Sequence, residues 1–181
     1  MKTTAAKFTF LLLVACIFAG CGGGDSGYVN DPDTVVINDF QVYGNDTPVD
    51  GREQIVAAIS SGDFLLDQSF DAVYSNDAQI WVSDREDIGS TNLEQLIVDL
   101  QCGNYPYCDF SLTISCTFNI SNQISCGVAG GVDEPNQATF PTADITLLLD
   151  GDQTDLFIVI VADAPGLERA RRSVPVTFRY E

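Results

Sequence analysis

Ser111-Leu112-Thr113-Ile114-Ser115-Cys116-Thr117-Phe118 puts Leu112, Ile114, Cys116 and Phe118 on one side of an extended chain and four hydroxyl side chains on the other. A period of two is the mark of a strand with one buried and one wet face. The next stretch, Asn119-Ile120-Ser121-Asn122-Gln123-Ile124-Ser125-Cys126, resumes the pattern with Ile124 and Cys126 apolar. A three-residue turn at 120–122 would set Phe118 opposite Ile124 and Cys116 opposite Cys126. All the apolar groups of both strands then share one face, and a slip of one residue would turn them outward.

Working outward, strands are expected at 34–42, 63–70, 78–83, 96–100, 156–162 and 174–180, separated by turn-rich intervals such as Gly44-Asn45-Asp46-Thr47-Pro48 and Asp150-Gly151-Asp152. Two segments read otherwise. Residues 52–59 contain the helix-tolerant Gln-Ile-Val-Ala-Ala-Ile, and in 142–149 Thr142-Ala143-Asp144 is suited to cap a short helix over Ile145 and Leu148. The interval 127–141, with three glycines and two prolines, reads as a long loop. Many short strands with short connections predict an all-β fold carrying at most one or two helical turns.

Leu156-Phe157-Ile158-Val159-Ile160-Val161-Ala162 is apolar on both faces and should be a central strand covered on both sides. With the bend at 163–167 and the closing run Ser173-Val174-Pro175-Val176-Thr177-Phe178-Arg179-Tyr180, it resembles the last hairpin of an immunoglobulin-like or fibronectin-type domain. The resemblance spans about 26 residues and implies an antiparallel immunoglobulin-like β-sandwich over 34–181. Gln68 stands near the position where that family carries a core tryptophan, and Trp81 falls on a later strand.

The apolar run 8–18 behind Lys2 and Lys7 is too short to cross about 30 Å of hydrocarbon. It reads as an export signal, residues 1–20, followed by a glycine-rich tether, 21–33. Phe18-Ala19-Gly20-Cys21 resembles the lipobox of bacterial lipoproteins, with phenylalanine in place of the usual leucine. That resemblance implies diacylglycerol on the Cys21 thiol, cleavage before Cys21 and usually acylation of the new amine. Two or more chains make a stable anchor. Gly22, where members retained in the inner membrane usually carry Asp, implies the outer membrane of a bacterial envelope, with the leaflet open.

Losing Lys2 and Lys7 takes the formal charge from −18 to −20, because all 26 acidic residues lie beyond Cys21. The remaining cations are Arg52, Arg85, Arg169, Arg171, Arg172 and Arg179. Such a charge repels nucleic acid and anionic membrane, so the lipid is the membrane contact. With neither histidine nor mature lysine, serine and cysteine triads, Ser-Lys dyads and Schiff-base chemistry are excluded, and no cofactor is expected. Cys102, Cys108, Cys116 and Cys126 lack paired CxxC knuckles and meet an oxidising compartment, so they read as disulfides rather than a metal site. The favoured pairing is Cys102 with Cys108 and Cys116 with Cys126; the alternative is Cys102 with Cys126 and Cys108 with Cys116.

Three groups are candidates for contact. The run Leu167-Glu168-Arg169-Ala170-Arg171-Arg172, read as a loop, holds half of the mature positive charge, and Arg169, Arg171 and Arg172 are suited to grip a carboxylate or phosphate. Tyr105 and Tyr107, on the loop that a Cys102–Cys108 bridge would clamp, could stack with Trp81 on a sugar or peptide. Asp150, Asp152 and Asp155 resemble part of a calcium loop without its terminal glutamate, and read more simply as a solvated turn. The expectation is a non-catalytic module for an envelope protein, peptide or glycan. The alternative is a glycan hydrolase working through paired carboxylates.

Overall fold

The computed structural model describes residues 36–57, 62–73, 77–89, 93–101, 107–132, 137–163 and 169–180. In chain order the strands are β1 (Val36–Tyr43), β2 (Asp46–Val49), β3 (Arg52–Val56), β4 (Phe64–Val73), β5 (Asp77–Ser83), β6 (Gln95–Gln101), β7 (Tyr107–Phe118), β8 (Gln123–Val132), β9 (Gln137–Thr139), β10 (Ala143–Asp144), β11 (Gln153–Asp163) and β12 (Ala170–Arg179). They form two sheets, β1-β4-β7-β8-β10 and β2-β3-β12-β11-β5-β6-β9. The protein is an all-β sandwich, and no helix occurs among the described residues.

The β7–β8 hairpin has the register the alternation demands, Phe118 opposite Ile124 and Cys116 opposite Cys126. Leu112, Ile114, Cys116 and Phe118 are buried between the sheets, and the leucine, isoleucine and phenylalanine side chains contribute about 1.5–3 kcal/mol each. Its turn is held locally. Asn119 Oδ1 accepts from the amides of Ser121 and Gln123, and Asn122 takes the left-handed φ of 62° that closes a three-residue loop. Cys116 and Cys126 are disulfide-bonded across the hairpin with Cα atoms 4.0 Å apart, which excludes the alternative pairing. Cys102 lies outside the described residues. Only the backbone of Cys108 is placed, opposite Ala72.

β11 is central, between β12 and β5. Leu156, Ile158, Ile160 and Ala162 join the inter-sheet core. Val159 and Val161 point the other way and are nonetheless buried. The groups beside them on that outer face are side chains: Trp81 stands in register with Val159, Arg171 with Val161, and the Arg52 guanidinium lies 5.5 Å from the Phe157 ring centre.

Three sequence expectations are corrected. Residues 52–56 form strand β3, parallel to β12, rather than a helical turn; Ile55 and Val56 gain burial on a sheet, where their β-branching is favoured. The expected loop at 127–141 is partly strand, because β8 runs on to Val132 across a bulge opposite Thr113 and Ile114. Glycine there hid the strand from a pattern based on apolar residues. At 142–149 the cap is present without the helix: Asp144 Oδ1 accepts from the Thr146 amide, and a single turn from Leu148 N–H to Ile145 C=O follows.

The sheets are oriented by their rings. Phe64 on β4 and Phe118 on β7 both pack edge-on against Phe178 of β12. One end of the sandwich therefore holds the start of β4 and the ends of β7 and β12. The opposite end collects the starts of β1, β5, β7 and β12 and the ends of β4, β6 and β11.

Gln68, on the inner face of β4 between Phe40 and Leu112, is 2% exposed, with neither amide atom hydrogen-bonded. A buried amide without partners costs about 1–3 kcal/mol. Gln68→Leu should therefore raise the unfolding free energy in urea by about 1 kcal/mol; a less stable variant would mean that the amide is satisfied in solution.

Candidate functional site

The end of the sandwich where β1 begins gathers most of the residues singled out from sequence. Arg169 immediately precedes β12, and Arg171 and Arg172 lie within it, so the expected loop 167–172 is strand from Ala170 onward. Alternation then sends Arg171 and Arg172 to opposite faces of the sheet. Tyr107 opens β7 at the same end, in the other sheet. Tyr105 lies outside the described residues. Trp81 is not brought to Tyr107: it sits half-buried in mid-β5, opposite Val159 and Leu96, on the outer face of the second sheet.

The arginines differ in their surroundings. Arg169 makes a two-nitrogen contact with Asp163 Oδ2, its Nη2 at 2.9 Å. Arg171 Nη1 lies 3.7 Å from Asp87 Oδ2. Both pairs are exposed, and exposed pairs contribute about 0–1 kcal/mol, so either arginine can exchange its partner cheaply. Arg172 is exposed and has no ion pair among the described residues. Arg179 is bound to Asp46 at the opposite end of β12.

Arg52 was missed as a structural residue. The Asp50-Gly51 turn, with φ of 51° and 78°, is the tight type that Asp-Gly supports, and it starts β3 at Arg52. From there Nη1 donates to the carbonyls of Leu156 and Val176, and Nε lies 3.5 Å from Asp155. Its stacking on Phe157 completes a clamp across three strands. No sequence signal marks it, because its partners lie about a hundred residues away.

The carboxylates do not assemble a metal site: among the described residues no group of three or more His, Cys, Asp or Glu side chains is set to hold an ion. Asp155 is occupied by Thr177 Oγ1 at 2.8 Å and by Arg52, while the Asp150 amide and carbonyl both engage Thr154 Oγ1. At the arginine end, burial first, then the charges of Asp99 and Asp163, push the Asp77 carboxyl above its ordinary range. At the other end, hydrogen bonds from Ser115 and Thr117 hold Asp63 below it.

Comparison with known proteins finds no match: no family model, no curated protein and no solved structure is significantly similar to this chain.

The two shifted carboxyls act oppositely on stability. Asp63, depressed by folding, stabilises above the unfolded carboxylate pKa, and that contribution is lost as pH falls through its folded value. Asp77, raised by folding, favours the fold when protonated, and that contribution is lost as pH rises through its folded value. Asp77→Asn should raise the melting temperature near pH 7 and have little effect in acid, whereas Ser115→Ala with Thr117→Ala should flatten the acid loss of stability. Thermal melts across the acid range check both; an Asp77→Asn protein less stable at pH 7 would contradict the assignment.

Proposed function

We propose that the protein is a lipid-anchored, non-catalytic β-sandwich of the bacterial envelope that holds a partner through the arginine end of β12. The observation that carries this reading is the distribution of charge. All six mature arginines belong to the second sheet or its flanking segments, while the strands of the first sheet carry Asp39, Asp67, Asp71, Asp109 and Asp144 and no cation. Arginines held in so acidic a chain, with no ion pair to Arg172 among the described residues and Arg171 loosely paired, suit an anionic partner group.

The anchor follows from the resemblance of Phe18-Ala19-Gly20-Cys21 to a lipobox. From Cys21 to Val36 is 15 residues, which reaches at most about 50 Å when extended. β1 begins at the arginine end, so that end leads back toward the membrane. The finer fold assignment, an immunoglobulin-like domain, is supported by the closing β11–β12 hairpin and by β11 lying between β12 and β5. It departs from that family in the first sheet, where the strand beside β4 precedes the outer strand in sequence instead of following it.

A carboxylate glycan hydrolase is the second reading, favoured by one observation: Asp77, held above its ordinary range by burial and by Asp99 and Asp163, stands opposite Asp163 at the arginine end, so that carboxyl groups are paired there. Hydrolysis of envelope glycans by the purified protein, abolished in Asp77→Asn, would establish that reading in place of the first.

Metabolic labelling with a clickable fatty acid should mark the wild type and bring it to the membrane fraction, whereas Cys21→Ala should stay unlabelled and unprocessed; equal labelling of both removes Cys21 as acceptor. In intact cells the triple change Arg169→Ala, Arg171→Ala and Arg172→Ala should abolish crosslinks to envelope partners while leaving the folded fraction unchanged. An unaltered crosslink pattern would place the contact elsewhere, with Tyr105 and Tyr107 next to be replaced.

A further inference from the structure

β12 is paired with β11 along its whole length, from Ala170 opposite Ala162 to Arg179 opposite Gln153. On its other side β3 pairs only from Val176 to Arg179. β3 cannot start earlier, because the Asp50-Gly51 turn delivers the chain at Arg52 and Glu53 is the first residue in register, opposite Val176. Among the described residues nothing pairs with residues 170–175 on that side, and they are exposed or half-buried throughout.

The direction of the free groups can be read from two backbone contacts. The Ala57 amide donates to the Arg179 carbonyl across the β3 side. The Tyr180 amide donates to the Asp152 carbonyl, on the β11 side. Successive residues of a strand direct their N–H and C=O groups to alternate sides. Odd-numbered residues of β12 therefore face the open edge: Arg171 and Ser173 with N–H and C=O, and Pro175 with C=O alone. Pro175 costs the β11 ladder nothing, since its missing N–H would have pointed outward.

We infer that this edge is a strand-addition site, at which an extended acidic segment of a partner protein adds to the second sheet along residues 170–175. Main-chain hydrogen bonds to Arg171, Ser173 and Pro175 supply the affinity, and Arg171 and Arg172, on opposite faces, read acidic side chains at alternate positions of the added strand. Arg169 stands at the open end of the same edge. Charge decides the occupant. Every exposed edge invites any strand, but a basic edge on a chain of formal charge −18 favours an acidic one and repels a basic one. The inference rests on reading the arginine end as the partner contact, and names what that contact holds.

The test uses full-length protein in detergent and two fluorescent, end-blocked octapeptides, one alternating valine and glutamate and the other valine and lysine. Anisotropy should show binding of the glutamate peptide only. Arg171→Glu with Arg172→Glu should invert that preference. Ser173→Pro leaves every charge and the β11 ladder in place but removes an edge donor; it should weaken binding at least tenfold without lowering the melting temperature by more than a few degrees. Full binding by Ser173→Pro, or equal competition by free glutamate, would overturn strand addition in favour of a simple anion site. So would concentration-dependent self-association through the edge that the glutamate peptide does not displace. If the arginine-to-alanine triple variant loses its cellular crosslinks while the wild type binds neither peptide, the contact reading survives and the strand reading fails.

Discussion

The structure depends on the register of β7 between β4 and β8. Leu112, Ile114, Cys116 and Phe118 fill the inter-sheet space only in this register, and a shift of one residue would exchange them for Ser111, Thr113, Ser115 and Thr117. Three local devices hold the register: the Asn119 and Asn122 turn, the Cys116–Cys126 bond and the two hydroxyls that bind Asp63. Phe118 then meets Phe178, and through that contact the first sheet fixes the height of β12 in the second. The position of the arginines on the molecule follows from that contact.

The β2–β3 hairpin controls how much of β12 is covered. Gly44, where the chain leaves β1, lies so close to the Gln54 backbone that a Cβ would come within 2.2 Å of its carbonyl oxygen. Asn45 then accepts from the Val56 amide and donates to the carbonyls of Val56 and Gly62. This crossing ties β3 against the last four residues of β12, and among the described residues no strand pairs with the first six on that side. The exposed edge thus follows from short-range geometry at Gly44, Asp50 and Gly51. Its charge comes from the independent placement of arginine at 171 and 172.

Much of this fold was legible because strand periodicity is a local property. The hairpin register, the six main strands and the central position of β11 follow from side-chain alternation and turn residues alone. What escaped was non-local. β3 reads as helix by composition and becomes a strand only because β12 lies alongside; the glycine-rich end of β8 has no side chains to alternate; Arg52 gains its role from carbonyls distant in sequence. The arginines were legible as a cluster, but their division between two faces of one strand required knowing that Ala170 is already in the sheet. Gln68 was visible as a polar residue at a core position, and burial without a partner is what the fold adds.

Residue-resolved amide exchange on the unliganded protein tests the central claim, an open edge on an otherwise paired β12. Along this strand the amides of Arg172 and Val174 should exchange slowly, held by β11, and those of Arg171 and Ser173 should exchange orders of magnitude faster. Slow exchange at all four positions would mean that the edge is already covered and would contradict the account.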